Sequence, residues 1–349
     1  MPSFFTRHLL KWHVENPRAL PWTGGPRDAY HIWISEVIMQ QTRIEQGAPF
    51  YHRFITRFPT VKALADADMD EVFRYWQGLG YYSRARNLHA AAKKIMTEYR
   101  GQFPSAYEDI LRLPGVGPYS AAAIASFAFG LSYPVVDGNV KRVIARFSGL
   151  KTSIDTPAGH DEIRSLASGF INGAAPGDFN QAIMNFGALV CKPKGALCAS
   201  CPLSKKCFAF QHQRVESLPV RSKKKTNTVR HFHFIVLHYR GKILLERREE
   251  KDIWHGLYAP PLLETASDRK PAVSKIHSFI SDLIGHAKMD WTESTATTQQ
   301  LLSHQTLIGR FHHYTLTSAP ASKNKSTAWV NNQTVHQYGK PKMIAALWK

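Results

Sequence analysis

The sequence predicts a mostly α-helical N-terminal half followed by a C-terminal domain of the α+β class. Apolar residues recur at the helical period from about residue 30 to residue 210. The basic run 221–225 then interrupts this pattern, and beyond it the apolar residues alternate or run together as they do in β-strands. We therefore expect domains over residues 1–214 and 230–349, joined by a basic linker over residues 215–229.

The individual elements follow from periodicity and from helix end signals. Ile34, Val37 and Ile38 fall on one helical face, and Thr60 is placed to cap a short helix through residue 65. Residues 70–77, 84–99 and 119–129 predict further helices. In the second half, residues 229–239 and 242–246 predict two strands, with Gly241 in the turn between them.

The charge of the chain indicates the class of partner. Lys and Arg number 45 against 26 Asp and Glu, which gives a net charge of +19. A strongly basic protein favours polyanions, and nucleic acid is the commonest of them. The N-terminus has no apolar core of a signal peptide, and the weakly charged stretch 120–136 is interrupted by Gly130 and Pro134. We expect a cytoplasmic protein that does not enter a membrane.

All four cysteines of the chain lie within residues 191–207, and this clustering predicts a metal site. Their spacing is Cys191-x6-Cys198-x2-Cys201-x5-Cys207. Four thiolates suit tetrahedral zinc or a [4Fe–4S] cluster. Zinc ribbons usually carry two CxxC pairs and this chain has one, so the spacing favours the iron–sulfur cluster.

The turn over residues 113–119 predicts a contact with the DNA backbone. Gly115 and Gly117 flank Val116 and precede an alanine-rich helix. Glycines allow close approach of backbone or phosphate, and the amides at a helix start form an anion site. The pattern is typical of a helix–hairpin–helix, which grips phosphates without reading bases.

Taken together, the hairpin, residues 135–140 and the cysteine spacing resemble the endonuclease III superfamily of helix–hairpin–helix DNA glycosylases with an iron–sulfur cluster. Within it, the chain is similar to the MutY family of adenine glycosylases. Residues 34–42 resemble the glutamate helix of that family, and Tyr119 stands where bifunctional relatives place a Schiff-base lysine. Residues 254–260 look like a landmark of the family's Nudix-like domain. The resemblance implies two helical subdomains, a [4Fe–4S] cluster loop and a Nudix-like C-terminal domain.

The resemblance also implies a monofunctional glycosylase that releases adenine paired with 8-oxoguanine or guanine. Glu36 is then the proton donor to adenine N7 and later the base that activates water, and burial beside an apolar helix face would raise its pKa. Asp137 is the anion that stabilises the C1′ oxocarbenium ion or captures it as an ester. Asn139 would hydrogen-bond Asp137, and Tyr119 would lie against both acids.

The remaining implied contacts are with an extruded adenine, the base stack and the lesion. Trp22 and Arg27 are expected at the pocket entrance, and Gln41 and Tyr82 are expected to intercalate. For a lesion-reading loop, the favoured placement is Phe311-His312-His313, and residues 302–304 are the rival placement. Double-stranded DNA with A:8-oxoguanine or A:G mispairs is the expected partner of a monomeric protein.

Two alternative functions remain, and the sequence departs from the family pattern at two places. A bifunctional pyrimidine glycosylase/lyase is disfavoured because residue 119 is not lysine, and a non-enzymatic iron–sulfur DNA-binding protein stays open. Asn185 stands where the family usually has an acidic residue. The acidic spacing of a Nudix box is lacking around residues 247–250, so pyrophosphatase activity is not expected.

Overall fold

The computed structural model describes residues 2–18, 28–222, 227–295, 297–302, 304–320, 326–331 and 333–348, with residues 345 and 346 described by their backbone alone. These residues group into two compact units. The first comprises Met1–Asp66 and Ala90–Lys223, and the second comprises Ala67–His89 and Lys224–Lys349. The domain boundaries given above stay predictions, since they follow chain order whereas this grouping follows packing.

The first unit is helical, which confirms the predicted class of the N-terminal half. The helices up to the cysteine region are α1 (Phe4–Glu15), α2 (Ala29–Met39), α3 (Ile44–Arg57), α4 (Val61–Ala65), α5 (Met69–Trp76), α6 (Ser83–Glu98), α7 (Tyr107–Leu111), α8 (Pro118–Phe129), α9 (Gly138–Ser148), α10 (Pro157–Ile171), α11 (Pro176–Leu189) and α12 (Phe208–Gln211). Of these, α5 and the start of α6 belong to the second unit. Within the described part of the chain, no helix is both long and apolar enough to cross a membrane.

Local capping explains where several helices begin and end. The Asp28 side chain accepts a hydrogen bond from the His31 amide at 2.9 Å and so starts α2. Thr60 accepts from the Ala63 amide at 3.1 Å and starts α4, as the sequence predicts. Helix α8 ends at Gly130, whose φ of 65° is left-handed and favours glycine.

Helices α1, α9, α10 and α11 enclose one hydrophobic core of the first unit. Phe5 on α1 stacks on Phe170 of α10 with ring centroids 4.3 Å apart. Trp12 of α1 meets Phe186 of α11 edge-on at 5.1 Å. Burying an aromatic side chain of this size stabilises a fold by roughly 1.5–3 kcal/mol. This packing holds α9 and α11 in place, and both helices carry residues of the site described below.

The second unit is built around one mixed β-sheet. Its strands are β1 (Thr228–Tyr239), β2 (Lys242–Arg247), β3 (Tyr258–Ala259), β4 (Leu262–Thr265), β5 (Met289–Ser294), β6 (Thr298–Leu301), β7 (Gln305–Leu316) and β8 (Thr327–Val330). The order is β3-β2-β1-β7-β5, and β4, β6 and β8 pair with β1, β7 and β2. Strands β1 and β7 are parallel, and the other pairs are antiparallel.

One helix, α13 (Val273–Ile284), covers a face of this sheet. Its buried Ile276, Ile280 and Ile284 belong to the same cluster as Ile235 and Leu237 of β1. Short helical segments follow at Val335–Gln337, α14 (Lys342–Ala345) and Ala346–Trp348. The predicted strands at residues 229–239 and 242–246 are confirmed, as is the α+β class of this half.

The structure contradicts the prediction that Phe311-His312-His313 forms a lesion-reading loop. The three residues lie inside β7, and Phe311 and His312 are 3% and 0% exposed. Phe311 stacks on Phe234 at 4.9 Å, and His312 Nε2 lies 3.0 Å from His233 Nδ1. The parallel pairing of β7 with β1 makes this segment a strand and not a loop, and within it Phe311 and His312 are buried whereas His313 is half-buried.

Candidate functional site

Glu36 lies on α2 and is almost fully buried, with 8% of its surface exposed. Its neighbours along the helix are apolar and include Ile32, Trp33 and Val37. The Tyr119 hydroxyl, in the first turn of α8, donates a hydrogen bond to Glu36 Oε2 at 2.8 Å. The fold thus brings together a carboxyl and a phenol that lie 83 positions apart in the sequence.

Burial sets the protonation of this pair. Desolvation raises the pKa of Glu36 to about 7; the Tyr119 hydrogen bond opposes the rise, and the charge of Asp137 adds to it. The pKa of Tyr119 is raised well above its usual value by burial and by both acids. Glu36 can therefore hold or release a proton near neutral pH, while Tyr119 stays a donor.

Asp137 begins α9 as its N-cap. Its Oδ1 accepts from the Val140 amide at 2.7 Å, and its Oδ2 accepts from Asn139 Nδ2 at 2.9 Å. Burial raises the pKa of Asp137 above its usual value, and these hydrogen bonds and the Arg142 guanidinium offset only part of that rise. The two acids therefore sit in different environments, one beside a phenol and the other in a cradle of donors.

A chain of hydrogen bonds continues from Asn139 to the cysteine region. Arg142 is 4% exposed, and its Nη2 donates to Asn139 Oδ1 and to the Gly187 carbonyl, each at 2.8 Å. Arg142 Nε donates to the Cys191 carbonyl at 2.7 Å. A Cβ on Gly187 would lie 2.7 Å from Asn139 Cβ, so glycine is required for this approach. The sequence reasoning missed Arg142; a buried arginine on the apolar side of α9 is the signal that could have found it.

The predicted hairpin has the geometry of an anion site. Gly115 has a φ of 75°, and Val116 is buried while its amide donates to the Leu113 carbonyl at 3.1 Å. Gly117 is the N-cap of α8, and Pro118 occupies the first turn. Pro118 has no N–H, so Tyr119 and Ser120 supply the first amides of α8. Amides of a first helical turn have no partner within their own helix, and such amides can bind an anion.

Two glutamines follow α2 at its C-terminal end. Gln40 Nε2 donates to Ser120 Oγ at 3.2 Å, which ties this end of α2 to α8. Gln41 has a φ of 56°, so the chain turns sharply there. Trp22 and Arg27, expected at the pocket entrance, lie outside the described residues.

Tyr82, expected to intercalate, is buried in the second unit. It is 6% exposed, and its hydroxyl donates to the Lys340 carbonyl at 2.8 Å. Its neighbour Tyr81 is 42% exposed and has a φ of 47°. A pocket of the second unit is lined by residues 78–83, by residues 252–254, and by residues 300–302 with His304 and Gln305. This pocket contains the described part of the rival lesion loop; Ser303 lies outside the described residues.

The four cysteines surround one apolar pocket. Cys191, Cys198, Cys201 and Cys207 line it together with Phe186, Val190, Leu197 and Phe210. Arg146 Nη1 lies 3.5 Å from Cys191 Sγ and donates to the Lys192 carbonyl at 2.7 Å. The fold thus gathers all four thiols, as the spacing predicts.

Asn185 of α11, which stands where the family usually has an acidic residue, is buried with 3% of its surface exposed. Its Oδ1 accepts from Gln181 Nε2 at 3.3 Å. Among the described residues, its Nδ2 has no hydrogen-bond partner. An amide at this position therefore presents a donor where a carboxylate would present only acceptors.

The chain is similar to known DNA repair proteins over nearly its whole length. Residues 34–167 match the HhH-GPD superfamily of base excision DNA repair proteins, and residues 232–349 match the NUDIX domain. An adenine DNA glycosylase of Buchnera aphidicola subsp. Schizaphis graminum is 30% identical over 97% of this chain and 96% of its own length. The corresponding protein of Buchnera aphidicola subsp. Acyrthosiphon pisum is 35% identical over 74% and 73%.

A solved structure agrees with these sequence matches. A thermostable thymine-DNA glycosylase superposes with a TM-score of 0.56 at 29% identity, covering 60% of this chain and 95% of its own. The matches confirm the helix–hairpin–helix glycosylase fold of the N-terminal half and the Nudix-like fold of the C-terminal half.

Replacing Tyr119 with phenylalanine is expected to raise the pKa of Glu36 above about 7. The hydrogen bond from the Tyr119 hydroxyl stabilises the Glu36 carboxylate, so its loss favours the protonated form. A carboxyl-carbon NMR titration, with Glu36→Gln to assign the signal, measures the shift. Tyr133→Phe is the control, and an unchanged or lowered pKa in Tyr119→Phe would contradict the expectation.

Proposed function

Because the chain belongs to the adenine DNA glycosylases of the HhH-GPD superfamily, we propose that it hydrolyses the N-glycosidic bond of adenine paired with 8-oxoguanine or guanine, with Glu36 and Asp137 as its two catalytic acids. The assignment of different roles to the two acids is supported by the buried group of Glu36, Tyr119 and Asp137. In it, two carboxyls interact electrostatically but have different hydrogen-bond partners.

Glu36 is the proton donor to the leaving base. With a pKa of about 7, it is protonated in roughly half of the molecules at neutral pH, and these can donate the proton to the base. The proton passes to adenine N7, the bond between C1′ and N9 breaks, and its electron pair leaves with the base. Protonation is needed because an adenine anion is a poor leaving group.

Asp137 meets the positive charge that develops at C1′. Its hydrogen bonds to the Val140 amide and to Asn139 orient the carboxylate and help keep it ionised. It stabilises the oxocarbenium ion or captures it as a transient ester. Glu36, now deprotonated, removes a proton from water, whose oxygen adds to C1′ and yields the abasic sugar.

The identity of residue 119 argues against the alternative function as a bifunctional glycosylase/lyase. A Schiff-base lyase needs an amine near C1′, whereas Tyr119 offers a hydroxyl that already donates to Glu36. Tyr119 and Asn139 are therefore positioning residues for the two acids. A DNA-binding protein without enzymatic activity would have no use for a buried glutamate that is half-protonated near neutral pH.

DNA binding by this family member involves the hairpin and the basic surface of the chain. The Tyr119 and Ser120 amides lie in the first turn of α8, and we assign a backbone phosphate to them. The net charge of +19 adds a sequence-independent attraction. The catalytic group is complete within one chain, so the proposed reaction needs no second subunit, and four thiolates reserved for a cluster suit a reducing cytoplasm.

The cysteine pocket fits a [4Fe–4S] cluster. All four cysteines line this pocket among apolar residues, and in a cluster each thiolate would bind a separate iron. Among the described residues, no group of three or more His, Cys, Asp or Glu side chains is arranged to hold a single metal ion, which a cluster does not require. The cluster would fix the basic loop 192–206 against phosphates, and the hydrolysis itself needs no electron transfer.

Recognition of 8-oxoguanine is assigned to the pocket of the second unit. Its lining comprises residues 78–83, residues 300–302, His304, Gln305 and Trp254 among others. Leu302 and His304 belong to the rival lesion loop, and they replace Phe311 and His312 as candidates because the latter pair is buried in β7.

Glu36→Gln is expected to lower the single-turnover rate of adenine release from an A:8-oxoguanine duplex by roughly 10²–10⁴-fold, because glutamine cannot donate the proton. Duplex affinity is expected to be retained, since the side chain keeps its size. Glu98→Gln, an exposed substitution on α6, is the charge-matched control. Full activity of Glu36→Gln would end the proposed mechanism.

Metal analysis is expected to find about four irons and four sulfides per chain, against about one zinc if the rival site forms. Cys201→Ala is expected to lose this content and to weaken DNA binding, because the basic loop is no longer held. Ser200→Ala is the matched control beside it. Normal DNA affinity in a metal-free Cys201→Ala protein would contradict the structural role.

His304→Ala is expected to reduce the preference for A:8-oxoguanine over A:G by roughly 5- to 30-fold, the equivalent of one or two lost hydrogen bonds. Single-turnover rates and dissociation constants on the two duplexes measure the preference. His277→Ala, on an exposed face of α13, is the control. An unchanged preference in His304→Ala would remove this loop from lesion recognition.

A further inference from the structure

A second pocket of the first unit adjoins the catalytic group and has no part in the reaction described above. It has a volume of about 430 Å³. Its walls come from α7, α8, α9, α10 and the segment before Asp137. The lining residues are Tyr107, Pro118, Tyr119, Ala122, Ser132, Tyr133, Pro134, Val136, Lys141, His160, Arg164 and Ser168.

The lining is basic on one side. Lys141 Nζ lies 2.6 Å from His160 Nε2, and Arg164 lies one turn further along α10. Arg164 is close enough to Tyr107 to lower the pKa of that phenol, against the larger rise that burial causes. Among the described residues that line the pocket, none is acidic. Asp161 forms an exposed ion pair with Arg164 at 3.5 Å, which water and salt weaken.

The other side of the pocket is aromatic. Tyr107 and Tyr133 stack with ring centroids 4.0 Å apart and an angle of 6° between their planes. Hydroxyls of Ser132 and Ser168 lie at the same pocket. The two cations Lys141 and Arg164, facing apolar rings and hydroxyls, suit a ligand with an anionic group and an apolar body. A sugar with its phosphate has this character.

Two residues connect this pocket to the catalytic acids. Tyr119 lines it and also donates a hydrogen bond to Glu36. Val136 lines it and directly precedes Asp137 in the chain. Whatever occupies the pocket is therefore a neighbour of the reacting nucleotide.

We propose that Lys141, His160 and Arg164 form a subsite for a phosphodiester that flanks the extruded adenosine, and that this contact positions C1′ against Asp137. The inference rests on the proposed function, because the flanking phosphate is defined by the extruded base. A phosphate held here fixes one end of the deoxyribose, and the tyrosine stack limits how far the sugar can turn. The subsite contributes to DNA affinity and also orients the nucleotide, since phosphate contacts fix the position of DNA on a protein without reading its sequence.

Arg164→Gln tests the subsite because it removes one cation from an exposed position of α10. At saturating protein, the single-turnover rate of adenine release is expected to fall roughly tenfold, since misorientation costs rate even in the bound complex. The dependence of log affinity on log salt concentration is expected to become shallower by about 1, as for a lost phosphate contact. Arg164→Lys, which keeps the charge, should restore most of the salt dependence. Lys11→Gln, which removes an exposed lysine paired with Glu15 on α1, is the control.

A duplex with a neutral methylphosphonate at each flanking position in turn identifies the partner phosphate. At one position, the methylphosphonate should weaken binding to the wild-type protein and have little further effect in Arg164→Gln, because the same contact is already lost. Additive losses at both positions would overturn the subsite, as would an unchanged rate and salt dependence in Arg164→Gln.

Equilibrium binding to an uncleavable duplex is measured alongside the rate. A wild-type protein that binds but releases no adenine would sink the proposed function, and the binding comparison would still decide whether Arg164 contacts the flanking phosphate.

Discussion

The desolvation of Glu36 is the constraint on which the rest of the site depends. A carboxyl placed among apolar residues of α2 holds its proton near neutral pH, because the charged form loses its hydration. The raised pKa makes Glu36 a weaker acid that can still carry a proton near neutral pH, and the proposed reaction needs a second carboxyl in a different environment. Asp137 meets this need because its carboxylate is surrounded by donors, and Tyr119 keeps the two groups in one arrangement.

The position of Asp137 is in turn fixed by structure beyond the site. Asn139 holds its carboxylate, and Arg142 holds Asn139 while donating to the carbonyl of Cys191. The cysteine region therefore bears on the geometry of the acid without touching the reacting atoms. Gly187 is part of the same arrangement, since any side chain there would push α11 away from Asn139.

The second unit shows how sheet pairing decides which side chains can serve recognition. Strand β7 runs parallel to β1 along most of its length, and its Phe311 and His312 side chains pack beside Phe234 and His233 of β1. The pocket beside residues 78–83 instead takes its walls from the segment that leads into β7. A helical segment from early in the chain thus shares a compact unit with a sheet formed by the last third of the sequence.

The sequence alone determined the class of each half, the hairpin around Gly115 and Gly117 and the cysteine cluster, because these depend on local periodicity and on motifs of fixed spacing. Glu36 and Asp137 became candidates through the resemblance to a family, and their catalytic roles stay predictions. The sequence could also place the strands at residues 229–239 and 242–246, where the apolar pattern and the turn agree. Only the tertiary structure decided that Tyr82 is buried, that His312 lies inside a strand, and that Arg142 links Asn139 to Cys191. Each of these facts depends on which distant segment packs against the residue, and a local pattern contains no information about that partner.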